Sequence, residues 1–190
     1  MIGEYVALRP LQVGDAATTL AWRLGAQATL LNEGATSEAE QAAWIASRPD
    51  HEINFLIGLR AGDPVGMLSL VNIDLIHRRA EPARFLIGEP DAVKGQPVAV
   101  EALKLVYELA FDRMGLHRLY GVVVAENQQM LKWHSYLGMK EEGRLREHQF
   151  IGGRFHDVVF VGMMEREFRE IALPRMNALI GSNTNQERTI

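Results

Sequence analysis

The chain of 190 residues contains no cysteine. Without thiols it can form neither a disulfide framework nor a thiolate metal site, and it has no cysteine nucleophile. Its six histidines show no H-x-x-x-H or similar spacing, so no metal site is expected.

Long apolar runs and a basic excess are missing as well. The longest apolar run falls far short of the ~20 residues that a membrane helix needs. The first ten residues, MIGEYVALRP, lack a basic region followed by an apolar block, so we expect no secretory signal and a cytoplasmic location. The net charge of −4 is opposite in sign to the excess typical of nucleic-acid-binding proteins. Neither nucleic acid nor a membrane is predicted as a partner.

The composition that is present, 47% hydrophobic and 23% charged, is typical of one soluble domain with a real core. Hydrophobic periodicity and turn signals predict the order βααβββαβαββ without an internal repeat. We assign the domain to residues 1–170 and expect a partly disordered tail over residues 171–190, which end in the polar stretch GSNTNQERTI. The predicted strands are Tyr5–Leu11, Asn54–Arg60, Pro64–Leu75, Arg84–Gly88, His117–Ala125, Lys140–Ile151 and Arg154–Met164, and the predicted helices are Ala16–Leu24, Ser37 to near Pro49, Val98–Met114 and Asn127–Gly138.

The loop KGQPVA, residues 94–99, leads from a strand into the longest predicted helix. A helix start offers unpaired N–H groups and partial positive charge, and glycine and lysine nearby favour an anion such as pyrophosphate. Pro97 is tolerated at the first helical position, where its missing N–H would be unpaired anyway. A plain helix start after a turn is the alternative. The candidate anion-binding residues are Lys94, Gly95, Gln96, Val98 and Ala99.

This strand, glycine-containing turn, long helix and strand, followed by Asn127 and the later Leu-Gly-Met of residues 137–139, resembles the GNAT superfamily of acyl-CoA-dependent N-acyltransferases. The resemblance covers Tyr5–Met164 and implies a single α/β (α+β) domain whose mixed, mostly antiparallel sheet of about seven strands is flanked by helices. It also implies that acetyl-CoA enters between two strands that splay apart, with its pyrophosphate on residues 94–99. The family loop reads [QR]-x-x-G-x-[GA], so Pro97 replaces its central glycine. The resemblance further assigns Leu86, Ile87 and Asn127 to the cofactor site.

Catalytic residues are also implied by this resemblance. Family members commonly carry a tyrosine as general acid seven residues after the asparagine, and His134 occupies that position here. Tyr136, about 200° further around the helix, and Ser135 are weaker candidates. Glu81 is the candidate base, acting directly or through water. Each of these residues has a plain alternative as a solvated polar side chain.

The segments WR (residues 22–23), LVNIDLIHRRAE (70–81) and EEGRLREHQFIGGRFHDVVFVGM (141–163) resemble a bacterial group that includes ribosomal-protein and nucleotide-sugar amine acetyltransferases. Alternation places Arg144, Arg146 and His148 on one face of a strand, with His148 predicted opposite Asp157. A solvated strand face is the alternative. The candidate substrate-binding residues are Arg23, Arg78, Arg146, His148 and His156, while Glu101 and Glu108 are expected to face solvent without a chemical role.

The predicted function is therefore transfer of an acetyl group from acetyl-CoA to a primary amine. The favoured acceptor is a small molecule, specifically an amino sugar carried on a nucleotide. A peptide N-terminus or ribosomal protein is the alternative acceptor, and the net charge of −4 suits a basic protein. A non-catalytic acyl-CoA-binding module is the alternative of another class, and a homodimer is a candidate assembly.

Overall fold

The computed structural model describes residues 1–28, 30, 34–60 and 62–187, without the side chains of Gln27 and residues 183–187. Seven strands form one mixed sheet in the order β1-β2-β3-β4-β5-β7-β6. Every neighbouring pair is antiparallel except β4 and β5, which are parallel. The strands are β1 (Val6–Pro10), β2 (Ile53–Leu59), β3 (Pro64–Asp74), β4 (Arg79–Ile87), β5 (Arg118–Val124), β6 (Lys140–Ile151) and β7 (Arg154–Met164).

The helices lie in two layers on either side of this sheet. Alternation along β2 and β3 explains the layers, because Leu56 and Met67 pack with Trp22 on one face, whereas Phe55 and Leu68 join the main core on the other. No helix in the described part of the chain is long and apolar enough to cross a membrane. The helices are α1 (Ala16–Arg23), α2 (Glu38–Ala46), α3 (Val98–Glu108, continued by a π-helical turn at Leu109–Arg113), α4 (Gln128–Tyr136), α5 (Glu165–Glu167, followed by a π-helical turn at Phe168–Ala172) and α6 (Leu173–Glu187).

The parallel pair β4 and β5 separates almost as soon as it forms. Its pairing is confined to Arg79 with Arg118 and Ala80 with Leu119. The prediction had β4 beginning only at Arg84, whereas the strand begins at Arg79, so Glu81 lies within it. Because β4 continues to Ile87 and β5 to Val124, most of both strands border a gap in the middle of the sheet.

A β-bulge in β4 faces this gap. The pairing with β3 passes from Ser69–Ala83 to Met67–Leu86, so two residues, Arg84 and Phe85, lie opposite the single residue Leu68. Arg84 has a φ of 52°, the left-handed conformation that a non-glycine residue rarely adopts. The extra residue turns the strand locally and leaves part of its backbone outside the ladder.

Two interpretations from the sequence are corrected by packing. Glu101 does not face solvent: it is 5% exposed, and its carboxylate accepts hydrogen bonds from the backbone N–H groups of Glu4, Tyr5 and Val6 at 2.7–2.9 Å. Glu108 is half-buried and makes an ion pair with Lys104.

The C-terminal segment also differs from the expected tail. Residues 171–190 were expected to be partly disordered, but α6 continues to Glu187. Met176 is fully buried and belongs to the main core, and Ile180 is buried as well. Apolar residues spaced for one helical face therefore extend the folded part well beyond residue 170.

Candidate active site

The gap between β4 and β5 opens into a cavity of about 600 Å³. One part of its wall comes from α3, α4 and β5, and the other from α1, α2 and the strand β4 with its neighbours. The residues that line it include Arg23, Gln41, Trp44, Glu52, Leu68, Asn72, Glu81, Ala83, Arg84, Phe85, Leu103, Tyr107, Val122, Val123, Asn127, Met130, His134 and Gln149.

A second groove of about 1010 Å³ lies over the first turn of α3 and along α4. Leu30, Phe85, Asn127 and Met130 border both this groove and the cavity. An elongated molecule could therefore reach from the start of α3 into the gap without leaving a lined surface. The groove is further lined by Ala99, Val100, Gln129, Lys132, Trp133, Tyr136 and Leu179.

The start of α3 differs in detail from the predicted anion site. Pro97 is the residue before the first helical position, and its carbonyl accepts the N–H of Glu101 at 2.9 Å. The Gln96 N–H bonds the Val93 carbonyl at 3.0 Å, so it is not the free donor that the sequence suggested. Gly95 has a φ of 78°, which favours glycine. The N–H groups without intrahelical acceptors are those of Val98, Ala99 and Val100.

His134 lies in α4 and borders the cavity. Its Nδ1 atom is enclosed and has no hydrogen-bond partner among the described residues. Burial lowers the pKa of His134 from 6.5 to about 4. At pH 7 only about one molecule in a thousand would carry the imidazolium. The His134 ring is therefore neutral near pH 7, and a catalytic role for it would be to donate or accept a hydrogen bond.

Glu81 borders the same cavity from β4. Asn72 Nδ2 donates to its Oε2 atom at 2.9 Å, and the backbone of Val122 in β5 also hydrogen-bonds to the carboxyl. Burial nevertheless raises the pKa of Glu81 above its usual range, outweighing both hydrogen bonds. A carboxylate whose pKa moves toward neutrality is a better proton acceptor than a solvated one.

Asn127 and Tyr136 stand at opposite ends of α4. Asn127 Oδ1 accepts the N–H of Met130 at 3.1 Å, so the predicted cap is confirmed, and the side chain also borders the cavity and the groove. Tyr136 borders the groove but not the cavity, and it stacks on Trp133 with ring centres 5.9 Å apart. The structure therefore separates Tyr136 from the cavity that holds His134 and Glu81.

The two residues of β4 predicted as cofactor contacts lie outside the cavity and the groove. Leu86 is 5% exposed and packs beside Trp22 in the second core cluster, and Ile87 packs against the main core. Neither residue lines the cavity or the groove, whereas Phe85 lines both. The bulge at Arg84 lies directly before these residues and interrupts the pairing of β4 with β3.

Of the five predicted substrate residues, Arg23 alone lines the cavity. Arg78 donates to the carbonyl of Gly115, and Arg146 and His148 are exposed on β6. His156 is 4% exposed, with its ring nitrogens next to Glu126 and the carbonyl of Ile151.

The predicted register of the hairpin is wrong. Leu145 pairs with Val158 and Gln149 with His156, so Asp157 faces three residues of β6 rather than His148 alone. Asp157 binds Arg144 at 2.9 Å. The hairpin contributes Gln149, not the predicted Arg146 and His148, to the cavity wall.

Sequence reasoning missed a charged cluster on the cavity wall. Both Glu52 oxygens accept from Arg84, at 2.9 and 3.2 Å, and Arg48 lies 3.5 Å from the same carboxylate. The guanidinium groups of Arg48 and Arg84 lie 4.2 and 5.2 Å from the ring centre of Trp44. Trp44, Arg48 and Glu52 at four-residue spacing were the available signal, but Arg84 of β4, which completes the cluster, is remote in sequence.

Comparisons with known proteins agree with this architecture. The acetyltransferase (GNAT) domain model matches residues 6–140. A spermidine N1-acetyltransferase from Escherichia coli strain K12 is 30% identical over 107 residues, which are 56% of this chain and 56% of the relative. A Bacillus subtilis protein, named provisionally as a ribosomal N-acetyltransferase, is 27% identical over 107 residues, 56% of this chain and 57% of the relative. The crystal structure of spermidine N-acetyltransferase from Vibrio cholerae with CoA and spermine has a TM-score of 0.76 at 24% identity, covering 88% of this chain and 100% of that chain.

The chain spans about half the length of the curated relatives that it matches. At 24% identity the solved structure shows a shared fold. The domain match, by contrast, extends from β1 to the first residue of β6 and includes the gap, α3 and α4. The resemblance and the fold class predicted from the sequence are confirmed, and the chain belongs to the GNAT acetyltransferase family.

Proposed function

We propose that this protein transfers an acetyl group from acetyl-CoA to a primary amine. The observation that carries the proposal is the continuity between the groove at the start of α3 and the cavity that holds Glu81 and His134. Membership of an acetyltransferase family and the names of the matched relatives support the same reaction.

The chain's own residues fit acetyl-CoA in two places. The N–H groups of Val98, Ala99 and Val100, with Lys94 close in sequence, suit the pyrophosphate. Phe85, Met130 and Asn127 border the passage into the gap, where the pantetheine arm would lie. The bound molecule supplies a thioester, whose carbonyl carbon is open to attack by an amine.

The transfer itself needs few protein groups. The amine nitrogen attacks the thioester carbonyl, a C–N bond forms, and the C–S bond breaks, so that CoA leaves as a thiolate and takes a proton from solvent. Glu81, with its raised pKa, accepts the proton that the amine loses, directly or through water. The neutral ring of His134 stabilises the leaving sulfur by hydrogen bonding. Neither step requires a covalent enzyme intermediate, which is consistent with a chain that has no cysteine.

For the acceptor we propose a small molecule, specifically an amino sugar carried on a nucleotide. The segments around residues 22–23, 70–81 and 141–163 resemble that group, and Arg23 and Gln149 from two of them border the cavity. Two matched relatives are named for spermidine and for ribosomal acetylation, which makes polyamines and basic peptides the necessary comparison substrates.

A thiol-release assay tests the proposal with unusually low background, because the protein contributes no thiol of its own. Acetyl-CoA is mixed with nucleotide-linked amino sugars, free amino sugars, polyamines and a ribosomal-type peptide. We expect amine-dependent CoA release, fastest with an amino sugar carried on a nucleotide. If spermidine is acetylated faster than the amino sugars, the acceptor is a polyamine, and the proposed acetyl transfer itself still holds.

Calorimetry separates the reaction from mere binding. If acetyl-CoA binds and no amine in the panel is acetylated, the protein is an acyl-CoA-binding module. If no form of CoA binds, both functions are excluded. As a control, His148→Phe should leave both CoA binding and CoA release unchanged, since His148 is exposed and lines neither cavity nor groove.

A further inference from the structure

Two enclosed side-chain polar atoms lack a hydrogen-bond partner among the described residues, the Tyr107 hydroxyl and His134 Nδ1. Both residues border the same cavity. An enclosed polar atom without a partner costs about 1–3 kcal/mol, and the large majority of buried polar atoms in native proteins are satisfied. Two such atoms at one cavity point to a ligand of that cavity as their hydrogen-bond partner.

His134 already has a place in the proposed transfer, but Tyr107 does not. Tyr107 lies on the inner face of α3 and is fully buried. Its ring is held edge-on against Phe168, with ring centres 6.1 Å apart. Burial raises the pKa of Tyr107 far above the working range of the protein, so the phenol keeps its proton and can always donate a hydrogen bond.

The surroundings of Tyr107 define the chemistry of its missing partner. Leu68, Leu103 and Val123 line the same cavity and are buried and apolar. An ionised group would be costly there, because these side chains cannot replace its hydration. The group that fits is uncharged, presents one acceptor oxygen and carries little other polar surface.

We propose that the Tyr107 hydroxyl donates a hydrogen bond to the carbonyl oxygen of the acyl group held in the gap between β4 and β5. This inference rests on the proposed use of acetyl-CoA and adds an acyl-recognition residue to it. Tyr107 would thereby distinguish acetyl-CoA from free CoA, which lacks the thioester carbonyl of the acyl group. The bond strengthens as the amine attacks, since the oxygen then gains negative charge.

The test is the isosteric variant Tyr107→Phe, measured against CoA and acetyl-CoA separately by calorimetry. We expect unchanged affinity for CoA and a loss of about 5–10-fold for acetyl-CoA, the size of one neutral hydrogen bond. We expect kcat to fall by about 10–100-fold, because removing a donor to a developing oxyanion acts mainly on turnover. The matched control is Tyr120→Phe, a half-buried tyrosine of β5 that lines neither the cavity nor the groove.

Thermal melting without ligand distinguishes the proposed role of the Tyr107 hydroxyl from a structural one, because losing a structural hydrogen bond would lower the melting temperature. Removing an unsatisfied hydroxyl should leave the melting temperature of Tyr107→Phe unchanged or raise it. A clear drop in melting temperature would mean that the hydroxyl has a partner within the fold, which overturns the inference. Unchanged affinity for acetyl-CoA together with unchanged kcat overturns it as well. If the wild-type protein binds neither CoA nor acetyl-CoA, the proposed function itself fails, and the inference falls with it.

Discussion

At the scale of single residues, burial shifts the pKa values of His134 and Glu81 in opposite directions, and in both cases it favours the uncharged form. The imidazole is held neutral because burial lowers its pKa to about 4, and the carboxyl is pushed toward protonation because burial raises its pKa. Pairs of groups whose pKa values are displaced in this way are typical of catalytic sites. The sequence indicated both residues but not their protonation states, since these depend on neighbours from β3, β5 and α3.

The neutral state of His134 has a consequence for stability. Its folded pKa of about 4 lies below the ordinary value of 6.5, so the unfolded chain binds a proton first as pH falls. Stability is therefore lost progressively between about pH 6.5 and pH 4, and His134 accounts for about 2 kcal/mol of the loss between pH 7 and pH 5.

We expect His134→Gln to remove that part of the pH dependence. Urea unfolding at pH 7 and pH 5 measures it, and the variant should lose less of its free energy of unfolding than the wild type by about 2 kcal/mol. His148→Gln, at an exposed histidine of β6, is the control and should behave like the wild type. Parallel pH curves for His134→Gln and the wild type would contradict the assignment.

The variant Glu81→Gln tests the proposed role of Glu81 as the base that accepts the proton of the amine. The amide keeps the shape of the side chain but cannot accept the proton, so kcat/KM should fall by about 100-fold near neutral pH. The defect should shrink as pH rises, because the amine then loses its proton to solvent. Glu108→Gln makes the same chemical change on α3 away from the cavity and should leave kcat/KM unaltered. A defect that stays constant up to high pH would argue against a base.

At the scale of elements, the seven strands and the helices α1 to α4 followed from periodicity, capping and turns, whereas α5, α6 and the irregularities did not. The Ser37 side chain caps α2 by accepting the Glu40 N–H, and Asn127 caps α4, both read from local sequence. The bulges at Arg84 and around Glu147 could not be predicted, because each is defined by the pairing with another strand. These bulges decide which side chains of β4 and β6 enter the site.

Glu101 joins two elements that no local pattern would connect. Its carboxylate binds three backbone N–H groups at the start of β1, and the Gly3 backbone lies so close that an added Cβ would be 2.4 Å from Glu101 Cδ. Glu101→Ala leaves those donors without a partner and should lower the free energy of unfolding by about 3 kcal/mol. Glu108→Ala, on the same helix, should cost less than about 0.5 kcal/mol in the same urea titration. Equal effects would show that the β1 contact contributes nothing.

A charge placed at the start of α3 tests whether the CoA pyrophosphate binds there, because it should affect helix stability and CoA affinity in opposite directions. A carboxylate near a helix N-terminus stabilises the helix but repels a bound phosphate. Gln96 is exposed in the loop before α3, so Gln96→Glu should keep or raise the melting temperature while weakening CoA binding by about 10-fold. Ala39→Glu adds the same charge in the first turn of α2 and should leave CoA affinity unchanged. An equal loss in both variants would point to net charge rather than to the α3 site.

At the scale of the whole molecule, the site belongs to a fold in which a parallel pair interrupts an otherwise antiparallel sheet. The crossover through α3 forces β4 and β5 to run parallel, and their early separation leaves room for a ligand where other sheets have hydrogen bonds. The family resemblance implied two strands that splay apart, and a strand, a long helix and another strand commonly form a parallel crossover. The order of elements did not predict that a further segment packs against α3.

That further segment is the C-terminal one. Met176 is fully buried in the main core, Phe168 stacks on Phe111 with ring centres 5.0 Å apart, and Leu179 lines the groove. A chain terminated after Glu170 would uncover the part of α3 that packs against α6, although the sequence alone assigned residues 1–170 to the domain. We expect this truncation to lose several kcal/mol, because removing one buried methionine side chain already costs about 2–5 kcal/mol. Truncation after Ser182 keeps Met176 and Ile180 and should melt within a few degrees of the full chain. Equal melting temperatures for both truncations would mean that α6 lies on the domain without stabilising it, whereas a loss confined to the shorter chain would place the end of the folded unit beyond Ile180.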